Sequence, residues 1–81
     1  INTTIDANSN VREAPRLKAR IVYTTKRLTP TTIFCYEFGD FFTDGKTSTS
    51  VWYNDGLGWI WGGNVNTTQD PPPGLPTCSQ A

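Results

Sequence analysis

The stretch Val51-Trp52-Tyr53-Asn54-Asp55-Gly56-Leu57-Gly58-Trp59-Ile60-Trp61-Gly62-Gly63 constrains the fold more than any other part of the chain. It holds all three tryptophans and four of the seven glycines. Val51 to Tyr53 and Trp59 to Trp61 are β-branched or aromatic, the residues that pack best on a pleated surface. Between them Asp55-Gly56 is a hairpin signal, because glycine accepts the positive φ that such turns require. Leu57-Gly58 makes the connection longer than two residues. The reading is strand, tight loop, strand. So much aromatic surface in one hairpin is either the centre of a small core or a binding face.

A chain of 81 residues makes one small domain, and a domain of this size buries only about 60% of its unfolded surface. A covalent staple would therefore matter. The two cysteines, Cys35 and Cys78, are either free thiols or that staple. A thiol in a Pro-rich tail has little other use, which favours the disulfide. Closing a loop of about 44 residues is worth roughly 4 kcal/mol in the chain-entropy treatment. A disulfide implies an oxidising compartment and a secreted, extracellular protein. The chain begins at Ile1 and has no Met, as expected of a processed product or an excised domain. No apolar run approaches the roughly 20 residues of a membrane span, so no membrane association is expected.

The formal net charge is zero, but its distribution is uneven. Arg12, Arg16, Lys18, Arg20, Lys26 and Arg27 crowd the first third, while Glu37, Asp40, Asp44, Asp55 and Asp70 lie beyond it. This is either a basic patch for an anionic partner or, the preferred reading, two solvated faces that attract each other across the fold. The neutral total argues against nucleic acid as the partner, because phosphate contacts need a basic excess.

Residues 1–10 are polar and read as an arm or edge strand. Asn2-Thr3-Thr4 and Asn66-Thr67-Thr68 fit the N-glycosylation sequon, which matters only in a eukaryotic source. Asn10 to Pro15 is extended and stopped by Pro. A loop and a strand over about Ala19 to Thr24 follow, then a turn at Lys26 to Pro30. From Thr31 to Phe38 the alternation of Thr32, Phe34, Tyr36 and Phe38 with Ile33, Cys35 and Glu37 predicts a strong strand. It places the aromatic side in the core or beneath the tail. Gly39 to Ser50 reads as a polar loop carrying Phe41-Phe42, of which one ring frames a groove. A last strand is expected at about Asn64 to Asn66. The Pro-rich residues 67–81 cannot pair centrally in a sheet. They read as a strap lying back across the strand of residues 31–38, tied there by Cys78. With no convincing helix, the chain is expected to be all-β, a small barrel or sandwich of about five strands.

The order of motifs resembles bacterial SH3-type (SH3b) domains. The matching residues are Asn10-Val11-Arg12 with Pro15, then Trp52-Tyr53, then Gly58-Trp59-Ile60 and Asn64-Val65. Cys35 and the closing Leu75-Pro76-Thr77-Cys78 are similar to secreted actinobacterial members. The resemblance covers residues 5 to 66, with the tail as the subfamily feature. It implies a five-stranded SH3-like barrel over residues 1–66 and a role in binding cell wall, meaning peptidoglycan or its peptides. The chain departs from the pattern at Asn64, where the family often has an aromatic residue, and in Trp61-Gly62-Gly63, which replaces small polar residues.

Enzyme chemistry is not expected. There is no His, so the commonest general base and metal ligand is missing. Glu37, Asp40, Asp44 and Asp55 read as surface acids rather than a glycosidase pair, and no calcium-loop spacing appears between Asp40 and Asp44. No cofactor or metal is expected. Aromatic rings, which pack on sugar faces and peptide backbones at small entropic cost, favour binding instead. Alternation puts Ile60 in the core and Trp59 and Trp61 on the other side of their strand, outward or half-buried. By the SH3 layout that the resemblance implies, Trp61 lines the ligand groove. Trp59 either joins it, caps the end of the barrel or lies beneath the tail. Trp52 and Tyr53 lie on opposite faces, one in the core and one exposed, and alternation leaves open which. Arg12 either ties its loop through backbone carbonyls or meets a ligand carboxylate. The expected ligand-binding set is Trp61, Trp59, Tyr53, Phe42 and Arg12. The expected partner of this monomer is cell-wall polymer or peptide, with a protein partner, such as an enzyme to inhibit, as the alternative.

Overall fold

The computed structural model describes residues 1–80, so the last residue of the expected 67–81 strap, Ala81, lies outside the described residues. Seven strands form: β1 (Asn2–Ile5), β2 (Ser9–Arg12), β3 (Ile21–Thr25), β4 (Thr29–Thr32), β5 (Cys35–Thr43), β6 (Ser48–Asn54) and β7 (Trp59–Trp61). They make two antiparallel sheets, a two-stranded β1-β4 ribbon and a five-stranded sheet ordered β3-β2-β7-β6-β5. The chain is all-β, without α-helix among the described residues. Its radius of gyration of 11.1 Å is close to the roughly 12 Å of a compact chain of this length.

The aromatic hairpin forms as its residues predict. Tyr53 pairs with Ile60 and Asn54 with Trp59 across the loop. Gly56 takes a φ of 93°, a conformation that costs glycine little. The Asp55 carboxylate accepts the N–H groups of Leu57 and Gly58, each at 2.9 Å. An aspartate followed by glycine thus closes its own turn.

One face of the larger sheet forms the core. Val11, Val51, Tyr53 and Ile60 meet Ile5, Ile33, Val65 and Leu75 there, with Tyr23 and Tyr36 packed at the margin. Period-2 alternation brings Val51 and Tyr53 together from β6. The ribbon closes over this face through Ile5, which bridges to Val65.

Several expectations are corrected. The strand predicted over Thr31 to Phe38 is two strands broken at Ile33-Phe34. The Ile33 N–H bonds the Ile1 carbonyl, and the next N–H, of Phe34, bonds the Asn54 carbonyl, so the chain passes from one sheet to the other here. The aromatic side is therefore split: Tyr36, opposite Tyr53, packs on the core beneath the tail as expected, but the rings on either side of it do not. Ile33 and Cys35 are inside, while Phe34 and Phe38 are 55% and 65% exposed. The predicted polar loop at Gly39 to Ser50 is a hairpin of β5 and β6, with Thr43 opposite Ser48. No strand forms at Asn64 to Asn66; Gly62–Asn64 is a 3-10 turn and Val65 makes the single bridge to Ile5.

The disulfide joins Cys35 to Cys78, and the tail lies along the start of β5 as expected. The Tyr36 N–H bonds the Pro76 carbonyl at 3.1 Å, and the Cys78 N–H bonds the Tyr36 carbonyl at 2.9 Å. The tail also supplies Leu75 to the core, and Asp70 accepts the Tyr53 hydroxyl.

Candidate functional site

The other face of the five-stranded sheet carries the residues of interest. Cross-strand partners share a face. Trp52 is paired with Trp61, and Arg12 with Trp59, which sets three tryptophans and a guanidinium on one face of neighbouring strands. The loop between β2 and β3 folds over them. Its anchor is Asp40 in the irregular stretch of β5 between Phe38 and Phe42. The Asp40 N–H bonds the Pro15 carbonyl at 3.1 Å, its carboxylate accepts the Leu17 N–H at 3.0 Å, and Arg16 lies 3.5 Å from it. The Arg12 guanidinium donates to the Ala19 carbonyl at 2.8 Å and closes the loop from its far end.

Between sheet and loop lies a groove of about 210 Å³. For comparison, an apolar cavity of about 150 Å³ holds a benzene molecule, so one ring or one amino-acid side chain fits. Trp52 and Trp61 form the floor, Phe42 and Leu17 one rim, and Asn8, Asn10, Arg12 and Asn64 the polar rim. The Phe42 ring stands edge-on to Trp61, with centroids 5.0 Å apart and planes at 88°, a favoured aromatic geometry. Both floor indoles spend their N–H inside the protein. Trp52 donates to the Asp40 carbonyl and Trp61 to the Thr49 carbonyl, each at 3.0 Å. They therefore present carbon surface to the groove, and hydrogen bonding is left to the rim. Asn64 is held by Ser9 at 3.0 Å, and the Asn8 side chain accepts the Arg27 N–H at 2.9 Å.

Of the five expected ligand-binding residues, Trp61, Phe42 and Arg12 meet at this groove. Trp61 lies away from Ile60 as alternation requires, yet it is only 5% exposed because Phe42 covers it; the outward orientation is corrected to a buried floor. Phe42 sits on a strand rather than in a loop. Arg12 bonds a carbonyl, the loop-tying role, while also lining the groove. Tyr53 is corrected from ligand-binding to core: it is fully buried on the face opposite the groove. Trp59 is half-buried, opposite Arg12 and Asn54, and does not line the groove. Trp52 is the residue the sequence reading passed over. The signal was present, since alternation puts it opposite Tyr53, and the short hairpin connection brings it into register with Trp61.

The acids serve loops and turns. Besides Asp40 and Asp55, Asp44 accepts the N–H groups of Lys46 and Thr47, each at 2.8 Å; these bonds, Thr47 first, hold its carboxyl below the ordinary range. Glu37 accepts the Ser79 N–H of the tail at 3.2 Å. Two tyrosines ionise with difficulty: burial, then the hydrogen bond to Asp55, raises Tyr23, and burial, then the hydrogen bond to Asp70, raises Tyr53. The expected attraction between basic and acidic faces amounts, among the described residues, to one exposed ion pair, Arg16–Asp40; the other, Arg20–Glu13, is local to the basic stretch. Such pairs contribute little.

No protein-family model matches this chain, and no curated protein or solved structure does either.

Proposed function

We propose that this chain is a non-catalytic, secreted, SH3-like module that binds bacterial cell wall, peptidoglycan or its peptides, in the groove floored by Trp52 and Trp61. The observation that carries this reading is convergence. Arg12 from the opening motif, Trp52 from the middle strand and Trp61 from the closing strand are distant in sequence and line one cavity. The chemistry suits a peptide or an amide-bearing sugar. A carbon floor packs on a flat amide or ring face, asparagine side chains match amide donors and acceptors, and a guanidinium can take a carboxylate in bidentate fashion. The disulfide is compatible with an extracellular setting. The carboxylates are committed to loops and turns, which supports binding over catalysis.

The test is retention on insoluble, purified peptidoglycan at moderate salt. Phe42→Ala is the informative variant, because Phe42 is 42% exposed at the rim and its removal leaves the core intact. As a hot-spot aromatic, Phe42 should cost about 2 kcal/mol on truncation, so retention should weaken at least about tenfold with the thermal transition little changed. Absence of retention for the parent, or equal retention by the variant, rejects the reading.

A further inference from the structure

The two outer edges of the five-stranded sheet are treated differently. The edge of β5 is covered, by the tail at Tyr36 and by Pro15 at Asp40. The edge of β3 is bare: among the described residues β2 is its only strand partner, and no loop or tail backbone bonds to Ile21–Thr25. A bare edge presents unpaired N–H and C=O groups to any extended chain. Nothing within β3 blunts it. Ile21, Val22, Tyr23, Thr24 and Thr25 are all good strand formers with no proline and no charge, and Ile21 and Val22 are 44% and 40% exposed.

The charges lie at its two ends. Lys18 and Arg20 precede β3, and Lys26 and Arg27 follow it. Arg20 pairs with Glu13; Lys18, Lys26 and Arg27 are exposed and have no acidic partner among the described residues. This arrangement selects the occupant. A second copy adding antiparallel about Tyr23 would set Arg20 opposite Lys26 twice, and like charges directly opposite are destabilising. An extended segment with acidic ends would meet cations at both.

We propose that the β3 edge is a docking site for an extended, acid-flanked segment of a partner protein, which adds there as a sixth strand. Backbone bonds supply affinity in this mode and flanking charges supply selectivity. None of Lys18, Ile21–Thr25, Lys26 or Arg27 lines the groove, so the proposal stands independently of wall binding.

The experiment uses the full chain and a fluorescein-labelled octapeptide, Val-Thr-Val-Thr with two glutamates at each end, followed by fluorescence anisotropy. The comparison peptide has lysines in place of the glutamates. The expected result is binding of the acidic peptide at least about tenfold tighter than the basic one, weakening as salt is raised past the screening range. The Ile21–Thr25 amides should become protected from hydrogen exchange. The double variant Lys18→Glu/Lys26→Glu should reverse the peptide preference while retention on peptidoglycan stays unchanged. The proposal is overturned by absence of binding, by equal affinity for the two peptides, by protection confined to groove residues, or by self-association that protects β3 without peptide.

Discussion

Tyr53 shows how one residue can look like a ligand contact and be a keystone. Its ring fills the core, and its hydroxyl reaches Asp70 in the segment that begins the tail. Buried phenols usually have such a partner. The consequence is a pH dependence with a definite sign. Burial and the bond to Asp70 raise the ionisation of Tyr53 above that of an unfolded tyrosine, near pH 10. The neutral phenol is the form the fold favours. Its contribution is complete below about pH 10 and is lost as pH rises above that value. Denaturant midpoints should therefore fall steeply on the alkaline side, with Tyr23 contributing in the same direction. Tyr53→Phe should cost about 1–2 kcal/mol at neutral pH, leaving the Asp70 carboxylate without its donor, and should shallow the alkaline slope. An alkaline slope equal to the parent's would refute this role. Alternation had separated Trp52 from Tyr53, but both are large and apolar, so hydrophobicity could not say which faced the core. The choice rests on Asp70, which lies 17 residues away in sequence.

At the scale of elements, the groove depends on how the β2–β3 loop meets β5, and that contact turns on Gly39. A methyl group there would fall on the Pro15 carbonyl oxygen and lie 2.7 Å from Pro15 Cβ. Neither is the far end of a flexible side chain, so the loop would have to move. Gly39→Ala should cost about 1–3 kcal/mol, as overpacking does. It should also loosen the bonds from Asp40 to Pro15 and Leu17, which faster exchange of the Asp40 and Leu17 amides would report. Unchanged stability and exchange would show that the loop sits elsewhere. This contact was hidden in the sequence because Gly39 to Ser50 is polar and carries no clean alternation. Asp44-Gly45 between Phe41-Phe42-Thr43 and the run to Val51 is nonetheless a hairpin signal of the kind that was read correctly at Asp55-Gly56. The split fate of the aromatics at Phe34, Tyr36 and Phe38 has a different origin. Alternation holds only within an unbroken strand, and the chain changes sheets at Ile33-Phe34, which leaves Phe34 outside; within β5 the tail covers Tyr36 on the core face and leaves Phe38 beyond it exposed.

For the whole molecule, the tail decides whether so small a chain stays folded. The all-β class and the Cys35–Cys78 bond could be read in advance, since turn signals and a thiol in a proline-rich tail are local facts. The division into two sheets could not, because it depends on which strands meet. At roughly 0.05–0.15 kcal/mol per residue, a chain of this length has about 4–12 kcal/mol of stability. The disulfide closes a loop with a sequence separation of 43, worth about 4 kcal/mol in the chain-entropy treatment. Cys35→Ser/Cys78→Ser should thus lose a large share of the total and lower Tm by roughly 15–30 °C. Leu75 in the core, the Tyr53–Asp70 bond and the two backbone bonds at Tyr36 do not require the crosslink. The double variant should therefore keep the native β-sheet spectrum at low temperature, and its denaturant slope should rise slightly as the unfolded chain expands. Removing residues 69–81 takes away those contacts as well, and should leave the chain unfolded at any temperature. A double variant within about 1 kcal/mol of the parent would mean that packing alone holds the strap. A double variant as unfolded as the truncation would mean that the tail contacts do not persist without the covalent tie.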